Sequence, residues 1–168
     1  MTTVIDTVII NSSPQLVDNW LRDMSRHYFE WHPRDHIEFK ILKGPRLLRL
    51  GSVAYSAEKV GHFKLGFRFQ IIDDRPGRIL RWRALFPYSL IRLRGSFETR
   101  PIHDGQTELI ATTRYGWGVP LIGIGFDSLA RHWLHPRLLA RHMKEEGLFA
   151  KSAIEGRHSS PPADSSIA

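Results

Sequence analysis

Between residues 63 and 71 the chain alternates Phe63, Leu65, Phe67, Phe69 and Ile71 with Lys64, Gly66, Arg68 and Gln70. A period of two places successive side chains on opposite faces, so this is a β-strand with one apolar and one polar face. The same device returns in RILRWRALF, where Leu80, Trp82, Ala84 and Phe86 oppose Arg81 and Arg83. It returns again in SLIRLRGSFE, where Ile91, Leu93 and Phe97 oppose Arg92 and Arg94. TVIDTVII near the start, IEFKIL, SVAYSAEKV and TELIATTRYGW complete the strand-like runs, with turns at DDRPG and HDG. Several two-faced strands in succession predict an antiparallel sheet, and its apolar face must be covered by something else.

Two segments supply the cover. Ser13 is a good N-cap with Pro14 at the first helical position, and Leu16, Val17, Trp20 and Leu21 follow at helical spacing, which predicts a helix over about 14–24. From about 122 the period lengthens again. Phe126, Leu129, Ala130 and Trp133 form one stripe, Pro136 kinks or restarts the helix, and LLARHMKEEGLFAKSAI carries it to about 154. The expected domain is therefore 1–154, with a Ser- and Pro-rich, disordered tail over 155–168. A length of 168 residues suits one domain with one core.

Charge and composition narrow the function. The net charge of +7 raises the question of a nucleic-acid partner, but arginines spread by strand alternation read better as a solvated basic face. The apolar window VPLIGIGF is far shorter than the roughly 20 residues of a membrane span, and the first ten residues lack the features of a secretory signal. The expectation is a cytoplasmic protein with neither nucleic-acid nor membrane partner. There is no cysteine, so any bound metal must be held by His, Asp or Glu.

The segment HYFEWHPRDH, residues 27–36, crowds histidines and aromatic residues around a proline. Pro33 would stiffen a turn, Trp31 would anchor it, and Asp35 would cap the turn or orient an imidazole. His27 and His32 are expected to be surface or turn histidines. Farther on, His142 and Glu146 are four apart, which on a helix places them on one face. Such a pair is either a solvated helical pair or half of a metal site. With His36 at a strand start and Glu58 on the next strand, four ligands of suitable chemistry can converge under a long covering helix. His103 and His158 are given no role, and His132 and His135 line the helix.

The order of elements, a strand, helices, about six to seven antiparallel strands and a long C-terminal helix, resembles the α+β helix-grip fold of the START/Bet v 1-like superfamily. The segment Tyr28-Phe29-Glu30-Trp31-His32-Pro33-Arg34-Asp35-His36 is in turn similar to the Tyr-x-x-Trp-(His/Asp)-Pro-x-Asp-His segment of the 2,4-diacetylphloroglucinol and phloretin hydrolases. That resemblance implies a metal-dependent hydrolase that cleaves the carbon–carbon bond between an acyl group and a phenolic ring. It implies His36, Glu58, His142 and Glu146 as ligands of zinc, with iron or manganese as alternatives, and Tyr28 as a catalytic residue. Tyr55, His62, Tyr88 and Tyr115 are candidates for the substrate pocket. Two departures stand out: the chain is shorter than those hydrolases, and Phe39 stands where a polar substrate contact is expected. The rival expectation is a non-catalytic helix-grip protein that holds a small apolar or aromatic molecule, since nine Phe, five Trp and four Tyr line such a cavity equally well.

Overall fold

A computed structural model describes residues 1–103, 105–116 and 135–158. The strands are β1 (Thr2–Ile10), β2 (His36–Lys43), β3 (Val53–Val60), β4 (Phe63–Arg75), β5 (Ile79–Ala84), β6 (Arg94–His103) and β7 (Gln106–Tyr115). The helices are α1 (Pro14–Arg22), α2 (Met24–Trp31) and the long α3 (Pro136–His158). All seven strands form one sheet in the order β1-β7-β6-β5-β4-β3-β2, each pair antiparallel. The alternation read from the sequence holds where it matters: Phe67, Phe69, Ile71 and Leu80 are buried on the inner face, while Arg68, Arg81 and Arg83 are exposed on the outer one.

The helix α3 covers the inner face with Leu139, His142, Met143, Ala150 and Ile154, all buried at helical spacing. It passes β1 closely at Gly147, where a Cβ would lie 2.8 Å from Asp6 Oδ2 and 3.5 Å from a Val8 methyl group. Two polar ties fix the far end: Lys151 donates to the Ile9 carbonyl at 2.6 Å, and the Asn11 amide donates to Glu155 Oε1 at 2.7 Å. The helix thus runs on to His158, past the boundary expected at 154. The expected stripe Phe126, Leu129, Ala130 and Trp133, together with His132 and the tail over 159–168, lies outside the described residues.

The N-terminal helical region differs from its expectation. A single helix over 14–24 is instead two, broken at Asp23, whose φ and ψ of −85° and 42° leave the helical region. The second helix takes in residues 24–31. Met24, His27, Tyr28 and Trp31 are its buried residues, at i, i+3, i+4 and i+7. That helical period was present in the sequence but hidden by the crowd of histidines. The strand expected over SLIRLR is also corrected: Tyr88–Ile91 is a single 3-10 turn, and Arg92 at φ 49° redirects the chain before β6 begins. Phe86, placed on the apolar face by alternation, is 71% exposed because β5 ends at Ala84. A buried ion pair secures the helical hairpin to the sheet: Arg22, 1% exposed, lies 2.6 Å from Asp18 and 2.5 Å from Asp74 on β4.

Candidate metal centre beneath an apolar cavity

A tight turn joins α2 to β2. The amides of Asp35 and His36 both donate to the His32 carbonyl, and the Lys59 amide donates to the Asp35 carbonyl at 2.8 Å. The register then pairs His36 with Glu58 across β2 and β3. From the other side α3 lowers His142 and Glu146 onto the same spot. One ligand atom from each of His36, Glu58, His142 and Glu146 lies within 4.8 Å of all the others.

Geometry fixes the tautomer of His36. Its Nδ1 lies 2.6 Å from the Tyr28 carbonyl, which can only accept, so Nδ1 carries a proton. Nε2 therefore faces the carboxylates, 2.8 Å from Glu146 Oε1 and 3.7 Å from Glu58 Oε2. His142 Nε2 stands 3.5 Å from Glu146 Oε1 and 3.9 Å from Glu58 Oε2. Burial alone would lower both imidazole pKa values; Glu146 and Glu58 outweigh it and raise both, His142 to about 11. Burial alone would likewise raise the Glu146 carboxyl, but His142 and His36 hold it below the usual carboxylate range.

This donor set fits a divalent metal. Both ring nitrogens of His142 are buried without a hydrogen-bond partner, an arrangement that costs free energy unless something else satisfies them. Two imidazoles and two carboxylates suit zinc and leave iron and manganese open. Around them stands a second layer that sequence reasoning found only in part. His32, expected to be a surface or turn histidine, does stand at the turn but is 2% exposed, and it stacks on His142 with ring centroids 4.8 Å apart. Asp35 Oδ2 lies 3.6 Å from both His142 Nδ1 and His32 Nε2, facing the two imidazoles from just beyond hydrogen-bond distance. His27, also expected to be a surface or turn histidine, is instead on α2, buried flat against Trp20. The missed signal is helical spacing: His27 and Trp31 share a face of α2 with Met24 and Tyr28.

The four-residue cluster closes one end of a cavity between sheet and α3. Trp31, Leu65, Phe67, Phe69, Trp82 and Phe97 form its apolar wall. Tyr28 and Ser56 stand at the junction with the polar end. The Tyr28 hydroxyl donates to the Ala57 carbonyl at 3.0 Å and lies 2.6 Å from Ser56 Oγ. Burial, then Glu58, push its pKa up, so it stays protonated. The four other pocket candidates lie elsewhere. Tyr55 is on the outer face with its hydroxyl over Gly66, and His62 is exposed in the β3–β4 turn. Tyr88 sits on the 3-10 turn beside Phe67, and Tyr115 is fully buried at the end of β7; none is part of the cavity wall among the described residues.

Comparison of this architecture with solved structures gives close matches over nearly the whole chain. The ZhuI aromatase/cyclase from Streptomyces sp. R1128 superposes with a TM-score of 0.74 at 17% identity, covering 95% of this chain and 96% of that one. The fold is the helix grip. A START superfamily protein from Mycobacterium smegmatis gives 0.68 at 12% identity over 92% and 98% of the two chains. A point mutant of norcoclaurine synthase from Thalictrum flavum gives 0.70 at 12% over 94% and 96%. No protein-family model matches the sequence, and no curated protein matches it. The helix grip, a curved seven-stranded antiparallel sheet closed by a long C-terminal helix, is thus established by structure, at identities that speak for the fold alone.

Proposed function

We propose that this helix-grip protein binds a small apolar or aromatic molecule in the cavity between its sheet and α3. The observation that carries the reading is the wall of Trp31, Phe67, Phe69, Trp82 and Phe97 around an interior that α3 closes against the sheet. Stacked and edge-on rings recognise flat apolar bodies, and the few polar groups at one end fix orientation. Structural neighbours whose names denote an aromatase/cyclase and norcoclaurine synthase support an aromatic occupant. Displacement of a fluorescent apolar dye by single-ring and two-ring aromatic compounds tests it. Dye binding that is unchanged in Phe97→Asp and Trp82→Asp variants of native stability would overturn it.

A second reading follows from the His36, Glu58, His142 and Glu146 cluster: a metal-dependent hydrolase acting on an acylated phenol. The resemblance of residues 28–36 to the acylphloroglucinol hydrolases and the convergence of the four ligand atoms within 4.8 Å both support it. A divalent ion held there would polarise an acyl carbonyl and lower the pKa of a bound water. His36 is locked by the Tyr28 carbonyl, the aromatic wall would orient the ring of a substrate, and α3 lays His142 and Glu146 along the polar end. The Tyr28 hydroxyl is committed to Ala57 and Ser56, so it serves first to hold the site. Elemental analysis together with hydrolysis of acylated phenols tests this reading. Metal-replete protein that binds aromatic compounds without turning them over leaves the first reading standing and removes the second.

A further inference from the structure

Three arginines stand in one rank of the outer face. The register pairs Arg83 with Arg94 and Arg94 with Arg114, on the adjacent strands β5, β6 and β7. Neighbouring strands are about 4.8 Å apart, so three cations crowd into roughly 10 Å, and like charges directly opposite destabilise a sheet. Several other arginines of this face are neutralised, although among the described residues Arg68 on β4 is not. Arg75 and Arg81 both lie within 3.1 Å of Asp73, and Arg100 lies 3.2 Å from Glu98. Among the described residues no carboxylate lies within 4 Å of Arg83, Arg94 or Arg114; Arg83 reaches only the Gln70 amide oxygen, at 3.1 Å.

The uncompensated rank borders a protruding apolar tip. The segment between β5 and β6 is tied down at both ends: the Leu85 amide donates to the Arg68 carbonyl, and the Gly116 amide donates to the Ile91 carbonyl, each at 2.7 Å. Between those ties Phe86 is 71% exposed and Leu90 51%. The strand registers put this tip at the end of the sheet that also carries the β3–β4 turn, hence at the end nearest Glu58 and the metal-ligand cluster. Cations flanking projecting apolar side chains match an anionic lipid surface, where headgroups meet the guanidinium groups and the acyl boundary receives the apolar tip. A polynucleotide satisfies the arginines but gives Leu90 nothing.

We propose that the end of the sheet bearing Arg83, Arg94, Arg114, Phe86 and Leu90 docks on an anionic membrane surface. No helix of the described residues is long and apolar enough to cross a membrane, and peripheral docking requires none. The proposal is independent of the cavity's occupant and of any metal.

Cosedimentation of the full chain with vesicles tests it, comparing pure phosphatidylcholine with phosphatidylcholine containing about 30% phosphatidylserine. Binding to the anionic vesicles only, weakening as salt rises, is expected. The triple change Arg83→Gln, Arg94→Gln, Arg114→Gln lowers the partition coefficient about 10²-fold at low salt, since each arginine near the surface contributes roughly fivefold. The double change Phe86→Ser, Leu90→Ser lowers it about tenfold or more with the melting temperature unchanged, because both side chains are exposed. No binding to anionic vesicles at low salt overturns the proposal. So does binding that survives the Phe86/Leu90 change in full, which would mark the rank as a general polyanion site; single-stranded polynucleotide bound as tightly by that variant would identify it as such.

Discussion

The ring of Tyr28 lies flat on the imidazole of His36, with centroids 3.9 Å apart and planes 12° apart, while the Tyr28 carbonyl holds His36 Nδ1 at 2.6 Å. One residue therefore fixes both the plane and the tautomer of a candidate ligand. Its hydroxyl, held by Ala57 and Ser56, anchors the whole arrangement to β3.

Tyr28→Phe separates these roles. The ring and the carbonyl remain, so metal content stays at wild-type level. Loss of the buried hydroxyl contacts lowers stability by about 1 kcal/mol, read from chemical denaturation. A fall of about 10²-fold in hydrolysis of an acylated phenol, at unchanged metal content, would give the hydroxyl a part in proton transfer.

Asp35→Asn tests the second layer around the candidate metal centre. The carboxylate that faces His142 Nδ1 and His32 Nε2 at 3.6 Å becomes a weaker, neutral partner. Zinc affinity, measured by competition with a chelating indicator, should fall about 10- to 100-fold with one equivalent still bound at saturation. Wild-type protein that takes two equivalents, one of them lost in Asp35→Asn, would make Asp35 a ligand in its own right.

The pH dependence of the metal-free protein follows from the raised imidazole and depressed carboxyl values. A raised His142 pKa stabilises the fold fully below the ordinary value of 6.5 and is lost as pH rises through about 11. The depressed Glu146 pKa contributes above the ordinary carboxylate value of 4.5 and is lost as pH falls through its lower folded value. Glu146→Gln should therefore cost most between these limits, about 3 kcal/mol near pH 6, and progressively less in strong acid or above pH ~11. Melting curves of the two proteins without metal give the difference directly. Zinc uptake at neutral pH should release protons, seen as a buffer-dependent heat in titration calorimetry.

Gly147→Leu probes the fit of α3 against β1. Even a Cβ there meets Asp6 Oδ2 at 2.8 Å, so the Asp6 carboxylate must swing aside, and the rest of a leucine side chain then crowds Val8, 3.5 Å from that Cβ. A loss of about 1–3 kcal/mol is expected, with zinc affinity reduced as well because Glu146 is the adjacent residue. Native stability in this variant would show that the helix has slack that the close approach denies.

The strands were legible because alternation is a strong local signal wherever one face is buried; Phe67, Phe69 and Ile71 announce β4 unaided. The four-ligand cluster was reached through helical spacing of His142 and Glu146 and a family-like segment ending at His36. What remained hidden had tertiary causes. His32 is buried because α3 packs over it, and nothing local to HPRDH reports that helix. Tyr55 and Tyr88 looked like pocket residues by type, but strand parity and a 3-10 turn send them elsewhere. Phe86 followed the alternation of β5 on paper, whereas the strand stops before it.

The polar end of the cavity is assembled from the two ends of the sequence. Tyr28, Asp35 and His36 come from the first quarter of the chain, whereas His142 and Glu146 lie on its last described helix. During synthesis the first segment emerges more than a hundred residues before its partners, so His36 and Glu58 are left as an open half-site until α3 has left the ribosome and docked. Any metal taken up there would be captured late, reporting completion of the sheet and its covering helix. An ion bound there acts as a clasp between the earliest and latest parts of the domain to fold.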